Sequence, residues 1–126
     1  MRLENKVAVI SGGARGMGAA EARIFAREGA KVIIGDVLEP EGRQVAAEIN
    51  ESGGECLFLR LDVTSESDWQ QIVDAAITRF GKLDVLVNNA GIDLRGGLED
   101  TSGEDWDRVM DMNAKGVFLG TKAAIP

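Results

Sequence analysis

The 126-residue chain has no histidine and no tyrosine, one cysteine and two prolines. Without histidine there is no Ser–His–Asp triad, and the commonest acid–base side chain is missing. Cys56 alone makes neither an internal disulfide nor a zinc site. Basic residues are scarce as well: 14 against 21 acidic ones, a formal net charge of -7. A nucleic-acid groove needs a basic face to displace counterions, so nucleic acid is not an expected partner. A free nucleotide stays open, because backbone N–H groups bind phosphate without lysines. Long apolar runs are absent too. The N-terminal stretch Met1–Lys6 has no signal-like apolar segment behind it, and the first apolar run stops at Ile10. No membrane partner is expected, and the default location is cytoplasmic.

At 44% hydrophobic residues the chain has enough apolar material for a core. Its length suits one domain, and no linker or low-complexity tract divides it. Four short aliphatic runs have the look of buried parallel strands: Val7–Ser11, Lys31–Asp36, Cys56–Asp62 and Val85–Asn88. Helical spacing lies between them. Gly18–Glu28 offers Ala20, Ile24 and Phe25 as an inner face, and Glu41–Glu51 offers Val45, Ala46 and Ile49 behind Pro40. Ser67–Phe80 offers Trp69, Ile72, Val73, Ala76 and Ile77, with Gly81 as C-cap. A last helix, from about Ser102 to Ile125, carries Trp106, Val109, Met110, Val117, Phe118 and Ala124. The two tryptophans and Cys56 are expected to pack in the core. Strand–helix alternation predicts a three-layer α/β fold with one doubly wound parallel sheet, order 3-2-1-4, switching between strands 1 and 4.

The first strand runs into Ser11-Gly12-Gly13-Ala14-Arg15-Gly16-Met17-Gly18 and then a helix. Glycine at 12 permits a tight turn, at 16 a close approach to a pyrophosphate, and at 18 close helix–sheet packing. Helix-start amides then face the anion. No Gly-Lys-Ser/Thr follows, so the turn is not a P-loop. Arg15 fits a phosphate contact and plain solvation equally well. Asp36 ends the second strand, eighteen residues beyond Gly18. A carboxylate there accepts from a ribose 2′-OH and repels a 2′-phosphate, and no base follows at Val37 or Leu38; NAD is favoured over NADP. Asp62-Val63 closes the third strand, where the acid suits an adenine amino group and an N-cap region equally. Asn88-Asn89-Ala90-Gly91 closes the fourth, with small residues that leave room for a ribose and nicotinamide. Acids gather at Glu99-Asp100 and Glu104-Asp105, where a helix start favours them; without histidine they are not expected to hold a metal.

Taken in order, Ser11-Gly12-x-x-x-Gly16-x-Gly18, Asp36, Asp62-Val63, Asn88-Asn89-Ala90-Gly91 and Asn113 in Met112-Asn113-Ala114-Lys115-Gly116 resemble the short-chain dehydrogenase/reductase family. The resemblance covers essentially the whole chain and implies a Rossmann-type, NAD-dependent oxidoreductase that interconverts a secondary alcohol and a ketone. It implies that Ser11, Gly12, Arg15, Gly16, Met17, Gly18, Asp36, Val37, Asp62, Val63, Asn89, Ala90 and Gly91 line the cofactor. It further implies that Asn113 is a catalytic asparagine, in a helix distortion that holds a water of the proton relay. Without the family, Asn113 is simply a polar residue on an amphipathic helix. The family's tyrosine, lysine and serine come later in sequence than that helix and have no counterpart here. The expectation is therefore a cofactor-binding half, truncated before a Tyr-x-x-x-Lys segment and inactive alone. Its substrate would be a small alcohol or ketone, and a homo-oligomer is the family's habit. Val85–Val87 as a sheet edge would invite pairing or leave the isolated chain poorly stable. Two other functions compete: a non-catalytic nucleotide-binding or interaction module, and an S-adenosylmethionine-dependent methyltransferase. The long Gly12-to-Gly16 gap and the Asn-Asn-Ala-Gly turn count against the methyltransferase.

Overall fold

A computed structural model describes residues 2–90 and 102–125. The elements run β1 (Val7–Ser11), α1 (Gly16–Arg27), β2 (Lys31–Asp36), α2 (Glu39–Glu51), β3 (Glu55–Arg60), α3 (Glu66–Phe80) and β4 (Val85–Val87). After residues outside that description come α4 (Gly103–Met110), a π-helical stretch at Asp111–Lys115, and α5 (Gly116–Ala124). Among the described residues, no helix is long and apolar enough to cross a membrane.

The four strands form one parallel sheet in the order β3-β2-β1-β4, as the alternation predicts. Residues along each strand alternate between two apolar layers. Ile10, Val32, Ile34 and Phe58 meet Ala19 and Ala22 of α1 and Val45, Ala46 and Ile49 of α2. On the opposite face Val7, Val9 and Ile33 meet Trp69, Ile72 and Ala76 of α3 and Leu119 of α5. Helices on both faces make the three-layer sandwich that a doubly wound sheet requires.

At the base of the sheet, Asp84 fixes the register of β4 against β1. Its Oδ2 accepts from Val7 N–H at 2.9 Å, and its own N–H donates to the Val7 carbonyl at 2.9 Å. That Val7 bond, aided by Lys82 Nζ at 3.1 Å, holds the Asp84 carboxyl below its ordinary pKa. At the outer margin of β3, Asn50 forms a two-pronged bond to one backbone unit. Its Nδ2 donates to the Cys56 carbonyl and its Oδ1 accepts from Cys56 N–H, each at 2.9 Å. Cys56 is buried as expected, and burial pushes its thiol up to about 12, so it is inert.

Three expectations need correction. The inner face of α1 is Gly18, Ala19 and Ala22, while Ile24 is 52% exposed. The first turns of the helix lie so close to the glycine turn that only small residues fit beneath them, whereas Phe25, farther along, packs against the core as expected. The last helix is not continuous α-helix; it widens into the π-helical stretch, and the expected apolar face is turned outward. Trp106 and Phe118 are each 61% exposed, whereas Gly116, Leu119 and Gly120 are buried. Trp69 is core and Trp106 is not. The strand ends also shift: β3 is Glu55–Arg60 rather than Cys56–Asp62, and β4 stops at Val87 rather than Asn88. In both cases the last polar residues turn away to make the bonds described next.

Candidate functional site

The register brings the C-terminal ends of all four strands to one rim, with Ser11 opposite Gly35, Asp36 opposite Arg60 and Ile10 opposite Val87. The glycine turn starts there. Gly12 and Gly13 donate to the Gly35 carbonyl at 2.8 and 3.3 Å, which folds the chain back across β2. Gly12 (φ 70°) and Gly16 (φ 61°) adopt the left-handed backbone that side chains rarely tolerate. A Cβ on Gly16 would meet nothing within 4 Å, so its backbone is open to an incoming group. Gly18 is constrained differently: a Cβ there would collide with the Gly12 carbonyl oxygen and lie 2.7 Å from Asn89 Nδ2.

Arg15 precedes α1 with extended backbone (φ -161°), and no side chain caps the first turn. The helix therefore presents uncapped amides, and the positive end of its dipole, beside the open Gly16 backbone. Arg15 and Met17 are exposed at this mouth, Met17 by 73%.

Asp36 stands across the turn. Its Oδ2 accepts from Ala14 N–H at 3.1 Å and its Oδ1 from Leu38 N–H at 3.2 Å, so two amides aim the carboxylate while each oxygen keeps a lone pair. Val37 beside it is 47% exposed.

At the end of β3, Asp62 Oδ1 accepts from both Thr64 N–H (2.9 Å) and Thr64 Oγ1–H (2.6 Å). These bonds, the hydroxyl foremost, hold its carboxyl below the usual range. The N-cap of α3 is Ser65, which accepts from Asp68 N–H at 3.2 Å. Asp62 is thus not the cap, and its second oxygen accepts nothing among the described residues. Val63 is buried beneath it.

Beyond β4 the Ser11 hydroxyl gathers the turn. It accepts from the N–H groups of Asn89 and Ala90, both at 3.0 Å, and is 1% exposed. Among the expected lining residues Ser11 is therefore an internal tie between β1 and the β4 turn. Asn89 Nδ2 donates to the Gly12 carbonyl at 3.3 Å, which closes the crevice between the two turns. Gly91 and the loop at 92–97 lie outside the described residues. Asn113 is exposed, in the middle of the π-helical stretch.

Three contributors escape a reading of the sequence. Gly13 is required because a Cβ there would sit 2.6 Å from Ile34 Cβ. Thr64 serves as the donor to Asp62, for which the Asp-x-Thr spacing is a usable signal. Thr121 receives the Asn88 amide across the fold and leaves no local trace.

A short chain dehydrogenase family model matches residues 6–126. The chain is 51% identical to a 2,5-dichloro-2,5-cyclohexadiene-1,4-diol dehydrogenase of Sphingobium indicum, over 99% of this chain and 50% of that protein. It is 51% identical to a trans-4-hydroxycyclohexanecarboxylate dehydrogenase of Sinomonas cyclohexanicum (99% and 51%) and 47% identical to a cyclopentanol dehydrogenase of Comamonas (98% and 50%). Among solved structures, a mutant short-chain dehydrogenase/reductase of Serratia marcescens superposes with a TM-score of 0.91 at 37% identity, covering 98% of this chain and 51% of that one. The chain spans about half the length of the curated relatives it matches. The methyltransferase alternative falls with these matches. A rim built from a glycine turn, an aimed acid and an Asn-Asn-Ala turn thus goes with a match over nearly every residue, and the chain belongs to the short-chain dehydrogenase family.

Proposed function

We propose that this chain is the dinucleotide-binding half of an NAD-dependent oxidoreductase that interconverts an alicyclic secondary alcohol and its ketone. The observation that carries the reading is Asp36, held by the Ala14 and Leu38 amides at the lip of the glycine turn. A carboxylate so fixed accepts from the 2′- and 3′-hydroxyls of an adenosine ribose and repels a 2′-phosphate. The cofactor fits the residues present. The uncapped α1 amides and open Gly16 backbone suit a pyrophosphate, the Asp62 oxygen that accepts nothing among the described residues suits an adenine amino group, and exposed Val37 offers an apolar face to a planar ring above buried Val63.

The bound cofactor supplies hydride transfer; the chain supplies position and electrostatics. Gly12, Ser11 and Asn89 lock the two turns together, so that Ala90 borders the nicotinamide side. The π-helical stretch interrupts regular carbonyl–amide pairing near Asn113, which suits a backbone that holds a proton-carrying water. The substrate class follows the relatives named for cyclic alcohols and diols. A cytoplasmic homo-oligomer fits the same reading.

Fluorescence titration with NADH and NADPH tests it. NADH should bind at least tenfold tighter than NADPH, and Asp36→Ala should erase that preference, since a bond to a charged group is worth about 1.5–3 kcal/mol. NADH binding left unchanged by Asp36→Ala would refute it. Turnover of cyclopentanol by the full-length protein separates an enzyme from a non-catalytic nucleotide-binding module.

A further inference from the structure

α5 is seated by residues that lack side chains. Gly116 and Gly120 are buried one turn apart on its inner face. A Cβ at 116 would lie 2.7 Å from Val63 Cγ2, and one at 120 would lie 2.6 Å from Trp69 Cζ2. Neither neighbour has room to retreat. Trp69 is 0% exposed, and its Nε1–H donates to the Val63 carbonyl at 3.0 Å, which joins the two into one surface. A polar latch lies alongside: Asn88 Nδ2 donates to Thr121 Oγ1 at 3.3 Å. Asn88 Oδ1 is buried without a partner among the described residues, and a Cβ at 120 would approach it to 2.9 Å. A buried amide half-satisfied in this way is tolerated only where the surrounding contacts hold it.

The π-helical stretch ends at Lys115, immediately before Gly116. Asn113 lies only three residues before Gly116 in the same unbroken helical segment, so the points where 116 and 120 touch down bear directly on where Asn113 sits. The seat itself adjoins that rim, because Val63 follows Asp62 and Asn88 precedes Asn89.

We propose that Gly116, Gly120 and the Trp69 indole, with the Asn88–Thr121 latch, are positioning residues that set Asn113 against the nucleotide turns. The proposal rests on the assignment of Asn113 to the proton relay. Gly120 and Thr121 are not among the residues assigned to the dinucleotide, so substitutions at these two positions act on turnover and spare dinucleotide affinity.

The test uses the full-length protein with NAD and cyclopentanol. Gly120→Ala should lower kcat by roughly 10-fold or more, since a displacement near 1 Å costs about 100-fold, while NADH affinity stays within about twofold. Trp69→Phe removes the ring atoms that the new methyl meets, so the double variant should regain kcat relative to Gly120→Ala alone. Non-additive rescue of that sign is not produced by general destabilisation. Wild-type kcat in Gly120→Ala, or no rescue in the double variant, would overturn the proposal. Should Gly120→Ala fail to fold, Thr121→Val decides: lower kcat with unchanged NADH affinity supports the seat, and wild-type kcat removes it. Full turnover in Asn113→Ala is a different failure, because it removes the group being positioned and with it the relay assignment.

Discussion

The two sides of this molecule finish their packing to different degrees. In β1 and β2, Val9, Ile10, Val32, Ile33 and Ile34 are all 0% exposed, and α1 and α2 cover one face of them. All three residues of β4 are only half-buried, and α4 buries none of its residues. Nine large hydrophobics are exposed among the described residues, and five of them, Trp106, Met110, Val117, Phe118 and Ile125, belong to the last helical segments. The side that would hold adenosine is organised by its own contacts. The side that would meet nicotinamide and substrate carries apolar surface that the described residues leave uncovered.

The contrast is open to direct attack. The largest effect belongs to the finished side: Ile33→Ala should cost about 2–5 kcal/mol in denaturant unfolding, by lost transfer energy and the cavity left behind. Phe118→Ala, by contrast, should fall within about 0.5 kcal/mol, as exposed substitutions do. A Phe118 cost equal to that of Ile33 would show that the outward face is covered in solution. Hydrogen exchange should sharpen the same contrast, with β1 and β2 amides surviving longest and those of β4 and α4 exchanging sooner. Equal protection across the sheet would erase it.

The smallest effect is electrostatic. Asp62 has a lowered pKa, so its bonds to Thr64 add stability that is fully present above the ordinary carboxylate pKa and is lost as pH falls below it, through the lowered pKa of the folded state. Thr64→Val should raise the Asp62 pKa toward its usual value and flatten that part of the acid limb, as followed by carboxyl NMR titration. An unchanged titration would show that the hydroxyl is not the cause.

Local chemistry was legible where the sequence forces it. The sheet order, the limits of β1 and β2, the inner face of α2 and the Gly81 cap follow from strand composition and turn residues alone. The crevice-forming residues share one rim because parallel strands end together. What stayed hidden depended on long-range fit. Hydrophobic periodicity assumes that the buried face of a helix is the large one, yet α1 buries Gly18, Ala19 and Ala22, and α5 buries Gly116 and Gly120 beside Leu119. Ser11 looked like a lining residue because it sits in the motif; its hydroxyl is spent on amides 78 and 79 residues away. The π-helical widening at Asn113 has no signature in spacing and entered only through family likeness.

The Asn50 amide bears on how this sheet can be extended. By bonding both polar groups of Cys56 it imitates a short length of neighbouring strand at the β3 margin. A newcomer on that flank would have to evict an amide that already satisfies the backbone. At Cys56 the β3 margin is accordingly closed to a further strand, and the Asn50 side chain acts there as a local stop.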